Sequence, residues 1–315
     1  MKTKKKCTKC DKKAVIFRAY EGRALCKQHF IHSIEKRVKR VIRQFKMIGS
    51  NDRIGVAISG GAESVTALHI LNMITAPRRD VGLEAIYIDE GTIDRPGQTE
   101  CRKAAERSAK ALGINIHKFS YKQELGRTLA AKSKELKLGA NEVCGFCGIT
   151  KRWLLNKKAR ELGLTKLCIG TNLKDEAENI MMNYVRGDIP RASRLGPVTN
   201  TSTKKKSGSS FIPRIKPLRW VPEDEIKLYA KLKGIQFCER KCKYRGGLRA
   251  DVEKTLEALE KRHTGMMFTV VNTFDRMLPG IKISSQSKKQ KIIKCKKCGE
   301  PGSHDICKVC EIWKK

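Results

Sequence analysis

A chain of 315 residues is long enough to bury a real core and to hold about two domains. Its 68 Lys plus Arg against 32 Asp plus Glu leave a formal charge of +36, so a free monomer repels itself and a polyanion is the natural counterpart. Aromatics at 6% argue against base-stacking platforms as the main grip, and no apolar run is long enough to span a bilayer.

No secretory apolar region follows the basic stretch 1–6, which predicts a soluble, cytoplasmic protein. Thirteen cysteines in a reducing compartment point to metal ligands or catalytic thiols rather than disulfides. Cys7-x-x-Cys10 and Cys26-x-x-His29 have ligand spacing, and four N/S donors make a closed, structural zinc site within residues 1–32. His32 competes with His29 at a less usual spacing. Residues 33–47 predict an amphipathic basic helix with Ile34, Val38, Ile42, Phe45 and Ile48 on one face.

Ile54, Val56, Ala57 and Ile58 then read as a buried strand, and Ser59-Gly60-Gly61 as a tight turn. Ser64, Val65, Ala67, Leu68, Ile70 and Leu71 follow at helical spacing. A strand feeding a glycine turn that opens a helix suits phosphate, because the backbone comes close and free N–H groups face the anion. Residues 81–88 predict a second strand ending at Asp89-Glu90, 98–112 a helix, 114–119 a third strand and 123–136 a further helix. Strands alternating with helices imply a parallel sheet, whose ligands sit beyond the carboxyl ends of the strands, where the Ser59 turn and Asp89-Glu90 both fall. Cys101 has no partner at ligand spacing and reads as a core thiol.

Cys144-x-x-Cys147 and Lys151 are expected to open a helix over 151–162, a setting that lowers thiol pKa values and suits metal or sulfur chemistry. Residues 167–170 predict a fourth strand, turning at Gly170 through Asn172, Asp175 and Glu176 into a helix over 176–184. Residues 201–210, TSTKKKSGSS, form a basic low-complexity loop, and 211–218 return to the core at an edge set by Pro213 and Pro217. A helix opens at Pro222. Cys238 and Cys242 precede Tyr244, and amphipathic segments over 248–259 and 266–277 close the domain. The lysine-rich tail carries Cys295-x-x-Cys298 and Cys307-x-x-Cys310, a zinc-ribbon pattern that leaves His304 spare. The expected organisation is thus 1–32, 33–280 and 281–315, with zinc modules at both ends set among lysines that also suit phosphate.

The stretch from Ser59 to Ser64 is neither a Walker loop nor a dinucleotide G-x-G-x-x-G. It resembles the S-G-G-x-D-S PP-loop of the ATP pyrophosphatases, which cleave ATP between the α- and β-phosphates. With the amino-terminal CxxC…CxxH, Cys144, Cys147 and Lys151, the Gly170-x-Asn172-x-x-Asp175-Glu176 turn, a Cys before a Tyr, and the carboxyl-terminal ribbon, nearly the whole chain resembles the tRNA-thiolating PP-loop enzymes. Within them it is most similar to the two-zinc-finger group that makes 2-thiouridine. The resemblance implies an α/β fold, a Rossmann-like parallel sheet flanked by zinc-binding modules. It implies ATP at Ala57, Ser59, Gly60, Gly61, Glu63, Ser64, Ile88 and Gly170, with magnesium. It implies catalytic Lys151 and Asp175, and a [4Fe–4S] cluster on Cys144, Cys147 and Cys242, which leaves Cys238 an extra. Two zinc ions belong to Cys7, Cys10, Cys26 and His29 and to Cys295, Cys298, Cys307 and Cys310. The implied partners are tRNA and either a ubiquitin-like sulfur carrier or free sulfide, with a homodimer allowed.

The chemistry follows from the substrate. Oxide is a very poor leaving group from the C2 carbonyl of uracil, and transfer of AMP to that oxygen turns it into a good one that a sulfur nucleophile can displace. Four positions depart from the family pattern: Ala62 for Lys, Glu63 for Asp, Thr171 for His and Lys174 for Asp. Lys174 adds a cation where Ala62 removes one, and the lost carboxylate weakens magnesium binding. Three other readings compete. One is a four-Cys zinc site on Cys144, Cys147, Cys238 and Cys242. Another is a tRNA-binding protein with an altered nucleotide site. The third is cytidine thiolation or lysidine-type chemistry on the same fold.

Overall fold

The structure is a computed structural model that describes residues 6–92, 95–199, 211–239, 242, 244, 246–285 and 292–313. The basic loop expected over 201–210 lies outside the described residues. At the amino end β1 (Ile16–Arg18) and β2 (Arg23–Leu25) pair antiparallel and feed α1 (Lys27–Gln44). This helix begins six residues ahead of the expected start, so His29 sits in its first turn. Its apolar face, Phe30, Ile34, Val38, Val41 and Ile42, is buried in the main core.

The central domain alternates as expected: β3 (Arg53–Ala57), α2 (Ala62–Thr75), β4 (Gly82–Asp89), α3 (Arg95–Ala111) and β5 (Ile116–Ser120). The single helix read over 123–136 is two, α4 (Tyr121–Leu125) and α5 (Leu129–Glu135), because Gly126 at φ +80° closes the first. Then come α6 (Ala140–Glu161), β6 (Lys166–Ile169), α7 (Leu173–Val185), α8 (Ile189–Ala192), β7 (Val198–Thr199) and β8 (Arg214–Ile215). The sheet order is β5-β4-β3-β6-β8-β7, parallel throughout except for the last pair. The segment confined to an edge by its prolines is therefore second from the edge, with the two residues of β7 outside it. Proline tolerates this because only Arg214 and Ile215, between Pro213 and Pro217, join the ladder.

One face of the sheet packs on α1, α2 and α9 (Glu223–Leu232) around Ile54, Val56, Leu68 and Ile226. The other packs on α6 through Ile86, Leu154 and Leu167. α10 (Leu248–Arg262) and α11 (Met266–Ser284) cover α7 through Val252, Leu256, Val271 and Phe274. Behind α7 a buried ion network holds this arrangement. Glu176 accepts from Lys216 at 2.6 Å and from Arg219 at 3.1 Å, and Arg219 also grips Asp275 of α11.

The carboxyl-terminal module, β9 (Ile293–Lys294), β10 (Pro301–Gly302) and α12 (Lys308–Trp313), docks on α6. Trp313 stacks on Phe146 at 5.3 Å and donates to Thr150 Oγ1 at 3.1 Å. The amino-terminal module is tied to α9 by Arg18, whose guanidinium donates to buried Glu225 at 2.7–3.1 Å. No described helix is long and apolar enough to cross a membrane.

Candidate active site

The glycine turn lies at the carboxyl edge of β3. Gly60 has φ +85°, and a Cβ there would fall 2.0 Å from the Cys101 carbonyl oxygen, so only glycine fits. Ser64 folds the turn: its hydroxyl accepts from Ser59 N at 3.0 Å and donates to the Gly61 carbonyl at 3.0 Å. Gly61 caps α2 without a side chain, leaving the first turn of that helix facing the cleft. Gly170, after β6, backs the turn closely; a Cβ on it would lie 2.9 Å from Ser64 N. Ala57 ends β3, and Ile88 lies in β4, the neighbouring strand.

Opposite the start of α2 stands the start of α7. Asn172 caps it, accepting from Asp175 N at 2.9 Å, while Asp175 Oδ2 accepts from Asn172 N at 3.2 Å. Burial and then the charges of Asp175 and Glu223 hold the Glu63 carboxyl above its usual range. Two carboxylates that raise one another's affinity for positive charge suit a divalent cation. Lys174 does not make good the missing cation at position 62. Its ammonium is bound to Glu253 at 2.5 Å and to Glu257, both on α10.

On the other wall, Cys144, Cys147 and Lys151 sit at i, i+3 and i+7 of α6 and share a face. The helix begins at Ala140 and not at 151, so these cysteines lie within it rather than at its amino end. The expected lowering of the thiol pKa fails accordingly: burial pushes Cys147 up to about 11, with Glu90 and Cys242 adding to it and Lys151 opposing. Lys151 is ion-paired to Glu90, just past β4; burial opposes its charge, and Glu90 outweighs burial and raises its pKa. Sequence reasoning placed Glu90 at the sheet edge but not its pairing with Lys151. Cys242 is exposed and within Coulombic reach of Cys147.

The reading of Cys101 as a core thiol is corrected, as is the expectation of no disulfides. Cys101 of α3 is bonded to Cys238, 137 residues away, with Cα atoms 5.1 Å apart. Cys238 N donates to the Gly60 carbonyl at 2.9 Å, and Cys238 forms a parallel bridge with Gly61. Cys238, four residues ahead of Cys242, is thus seated on the glycine turn. Cys238 is also removed as a ligand, so the four-Cys zinc site lacks its fourth donor.

At the chain ends the expected ligand sets do converge. Cys7, Cys10, Cys26 and His29 form one group and Cys295, Cys298, Cys307 and Cys310 another, each with all ligand atoms within 4.8 Å. His29 Nδ1 lies 3.4–3.5 Å from all three thiols, which settles its competition with His32. Despite burial, backbone N–H groups hold Cys7 and Cys295 down at about 6, while burial and neighbouring Cys298 push Cys307 up to about 11. Crowded thiols of this kind ionise together only around a cation, so both groups suit a metal ion.

Residues 6–31 match the family model described as the 2-thiouridine synthetase TtuA N-terminal LIM domain, and residues 31–245 match the PP-loop domain. A probable sulfurtransferase of Methanocaldococcus jannaschii is 33% identical over 305 residues, covering 96% of this chain and 85% of its own. The tRNA-5-methyluridine(54) 2-sulfurtransferase of Pyrococcus horikoshii is 31% identical over 310 residues, covering 98% and 93%. The structure of the U34-tRNA thiolase NcsA from Methanococcus maripaludis with its [4Fe-4S] cluster matches with a TM-score of 0.80 at 29% identity, over 98% of this chain and 95% of that one.

Proposed function

Because the chain belongs to the PP-loop family, in its tRNA 2-thiolation branch, we propose that it is an ATP-dependent tRNA sulfurtransferase that converts a uridine to 2-thiouridine. One observation carries this reading. Cys238, four residues ahead of Cys242, is seated on the glycine turn, while Lys151, one helical turn beyond Cys147 on α6, reaches the same sheet edge through Glu90. A nucleotide held by the turn and a sulfur held by the thiols would then share one cleft.

In this reading Ser59, Gly60, Gly61 and Ser64 cradle the ATP phosphates, with Ala57, Ile88 and Gly170 shaping the nucleotide site. Glu63 and Asp175 would hold magnesium against them. The uridine C2 oxygen attacks the α-phosphorus and pyrophosphate leaves. Lys151 turns from Glu90 to the phosphate and stabilises its growing charge. Sulfur then attacks C2, and the C2–oxygen bond breaks with that oxygen leaving on AMP. The donor set suits an iron–sulfur site better than a four-Cys zinc site: Cys238 is committed to Cys101, which leaves Cys144, Cys147 and Cys242, three thiols not gathered within 4.8 Å of one another as the terminal sets are. A [4Fe–4S] cluster on Cys144, Cys147 and Cys242 would leave one iron open to hold sulfide. Free sulfide or a ubiquitin-like sulfur carrier would replenish it. Zinc would occupy the two terminal ligand sets as structural ions, dividing the chain into 1–32, 33–280 and 281–315.

The test is nucleoside mass spectrometry of tRNA after incubation with ATP, sulfide and protein reconstituted anaerobically with iron. The expected product is 2-thiouridine, mapped to position 34 or 54 by fragment analysis. Cys144→Ala and Asp175→Ala should each abolish it while leaving tRNA affinity nearly intact. No product from the wild-type protein, or a wild-type yield from either variant, overturns the assignment.

A further inference from the structure

Two arginines beside the cleft have no part in the chemistry above. Arg152 follows Lys151 on α6, and Arg214 opens β8. Arg214 Nη2 donates to the Arg152 carbonyl at 3.3 Å. Both side chains line a cavity of about 220 Å³ between α6, Phe211 and the carboxyl-terminal module, which contributes Lys308. Arg214 Nε is buried there with no hydrogen-bond partner. The carboxylate in the wall, Glu300, is already engaged by Arg160 and Asn156. No carboxylate pairs with Arg152 or Arg214 among the described residues.

Cations gathered without counter-charge are costly unless an anion joins them. The strain is visible in their acidity. Crowding by surrounding protein atoms, then Arg191 and Arg249, hold the Arg152 guanidinium below its usual range although its side chain also reaches solvent, and burial and Arg152 bring Arg214 down to about 10. Guanidinium forks match phosphate oxygens in pairs. The volume decides against a whole nucleotide, since sites for molecules of that size run from about 300 Å³ upward. A single phosphate group fits. Arg152 follows Lys151 directly on α6, so the cavity and the Lys151–Glu90 pair are served by the same turn of helix.

We propose that Arg152 and Arg214, with Lys308 from the carboxyl-terminal module, form a subsite for a backbone phosphodiester of the RNA substrate. This rests on the thiolation reading for its partner, not for its geometry. It also assigns the terminal module a share in the substrate site.

The test compares wild type with Arg152→Gln, Arg214→Gln and the double variant. Binding of unmodified tRNA is followed by fluorescence anisotropy between about 50 and about 200 mM salt, with ATP binding measured in parallel by calorimetry. Each variant should weaken tRNA binding about tenfold and flatten the log–log salt slope by about one, with ATP affinity unchanged. Arg152 is exposed, so Arg152→Gln carries the test if Arg214→Gln lowers the melting temperature. Arg152→Lys should restore the salt slope but only part of the affinity. Wild-type affinity and slope in the double variant would overturn the subsite. Lost ATP affinity with intact tRNA binding would overturn it too, assigning the arginines to the nucleotide. Wild-type protein that binds tRNA but never thiolates it defeats the reaction and not the subsite; wild-type protein with no tRNA affinity defeats both.

Discussion

Gly170 shows how little room the nucleotide site leaves at a single residue. A methyl group there would meet backbone atoms of Glu63 and Ser64 at 2.9–3.0 Å, and backbone cannot swing aside as a side chain can. Gly170→Ala should therefore push the glycine turn away from its strand. The expected result is a loss of ATP affinity of about tenfold or more by calorimetry, with an unchanged far-ultraviolet circular dichroism spectrum. Asp52 makes a different case, one of pH. It accepts from Gly49 N at 2.6 Å and from Thr165 Oγ1 at 2.7 Å, and pairs with Lys166 at 2.7 Å. Burial opposes its charge, but Lys166 and these donors outweigh burial and hold its carboxyl below the usual range. A depressed carboxyl stabilises the fold above its unfolded pKa of about 3.9 and loses that contribution as pH falls through the lower folded value. Asp52→Asn should cost about 1–3 kcal/mol in urea unfolding at neutral pH. The gap from wild type should close below about pH 4. A gap independent of pH would mean that shape, not charge, is what Asn fails to supply.

At the scale of elements, α6 joins the site to the carboxyl-terminal module. Its face with Phe146 and Thr150 takes Trp313, and the residues between them include Cys147. Trp313→Ala should cost about 3–5 kcal/mol, seen as a lower urea midpoint. It should also cut iron retained after anaerobic reconstitution, because the helix presenting two of the thiols loses its support. Full iron retention in that variant would uncouple the module from the site. This helix was also the hardest to read in the sequence. Gly145 and Gly148 interrupt its apolar period, so the sequence shows the helix only from Lys151 on, with the two cysteines at its opening. Buried parallel strands, by contrast, are plain apolar runs, and β3, β4, β5 and β6 fell within two residues of expectation. The two-residue strands β7 and β8 carry no such signal. Ligand spacing made the terminal cysteine groups legible, since each pair is local. The Lys151–Glu90 and Glu63–Asp175 approaches depend on distant elements, and only the family resemblance pointed to three of those four residues.

For the whole molecule the least legible feature was the Cys101–Cys238 bond, because a separation of 137 residues leaves no trace in local spacing. Its place gives it two consequences. It joins α3 to the segment that carries Cys242, and it lies directly behind Gly60, whose carbonyl receives Cys238 N at 2.9 Å. Closing so long a loop restricts the unfolded chain, and the chain-entropy estimate for loops of this size is about 5 kcal/mol, with measured values more often about 2–4. A phosphine reductant should therefore lower the urea midpoint of the wild-type protein, followed by tryptophan fluorescence. Cys101→Ala should show the lower midpoint from the start and no response to reductant, which separates this bond from any effect on the terminal metal sites. Local effects should appear as well. With the bond open, the hydrogen bond and bridge to the glycine turn lose their covalent backing, and ATP affinity should fall by a few-fold while tRNA binding, governed by surface charge, holds. An unchanged midpoint and ATP affinity in Cys101→Ala would show that the backbone contacts alone seat this segment.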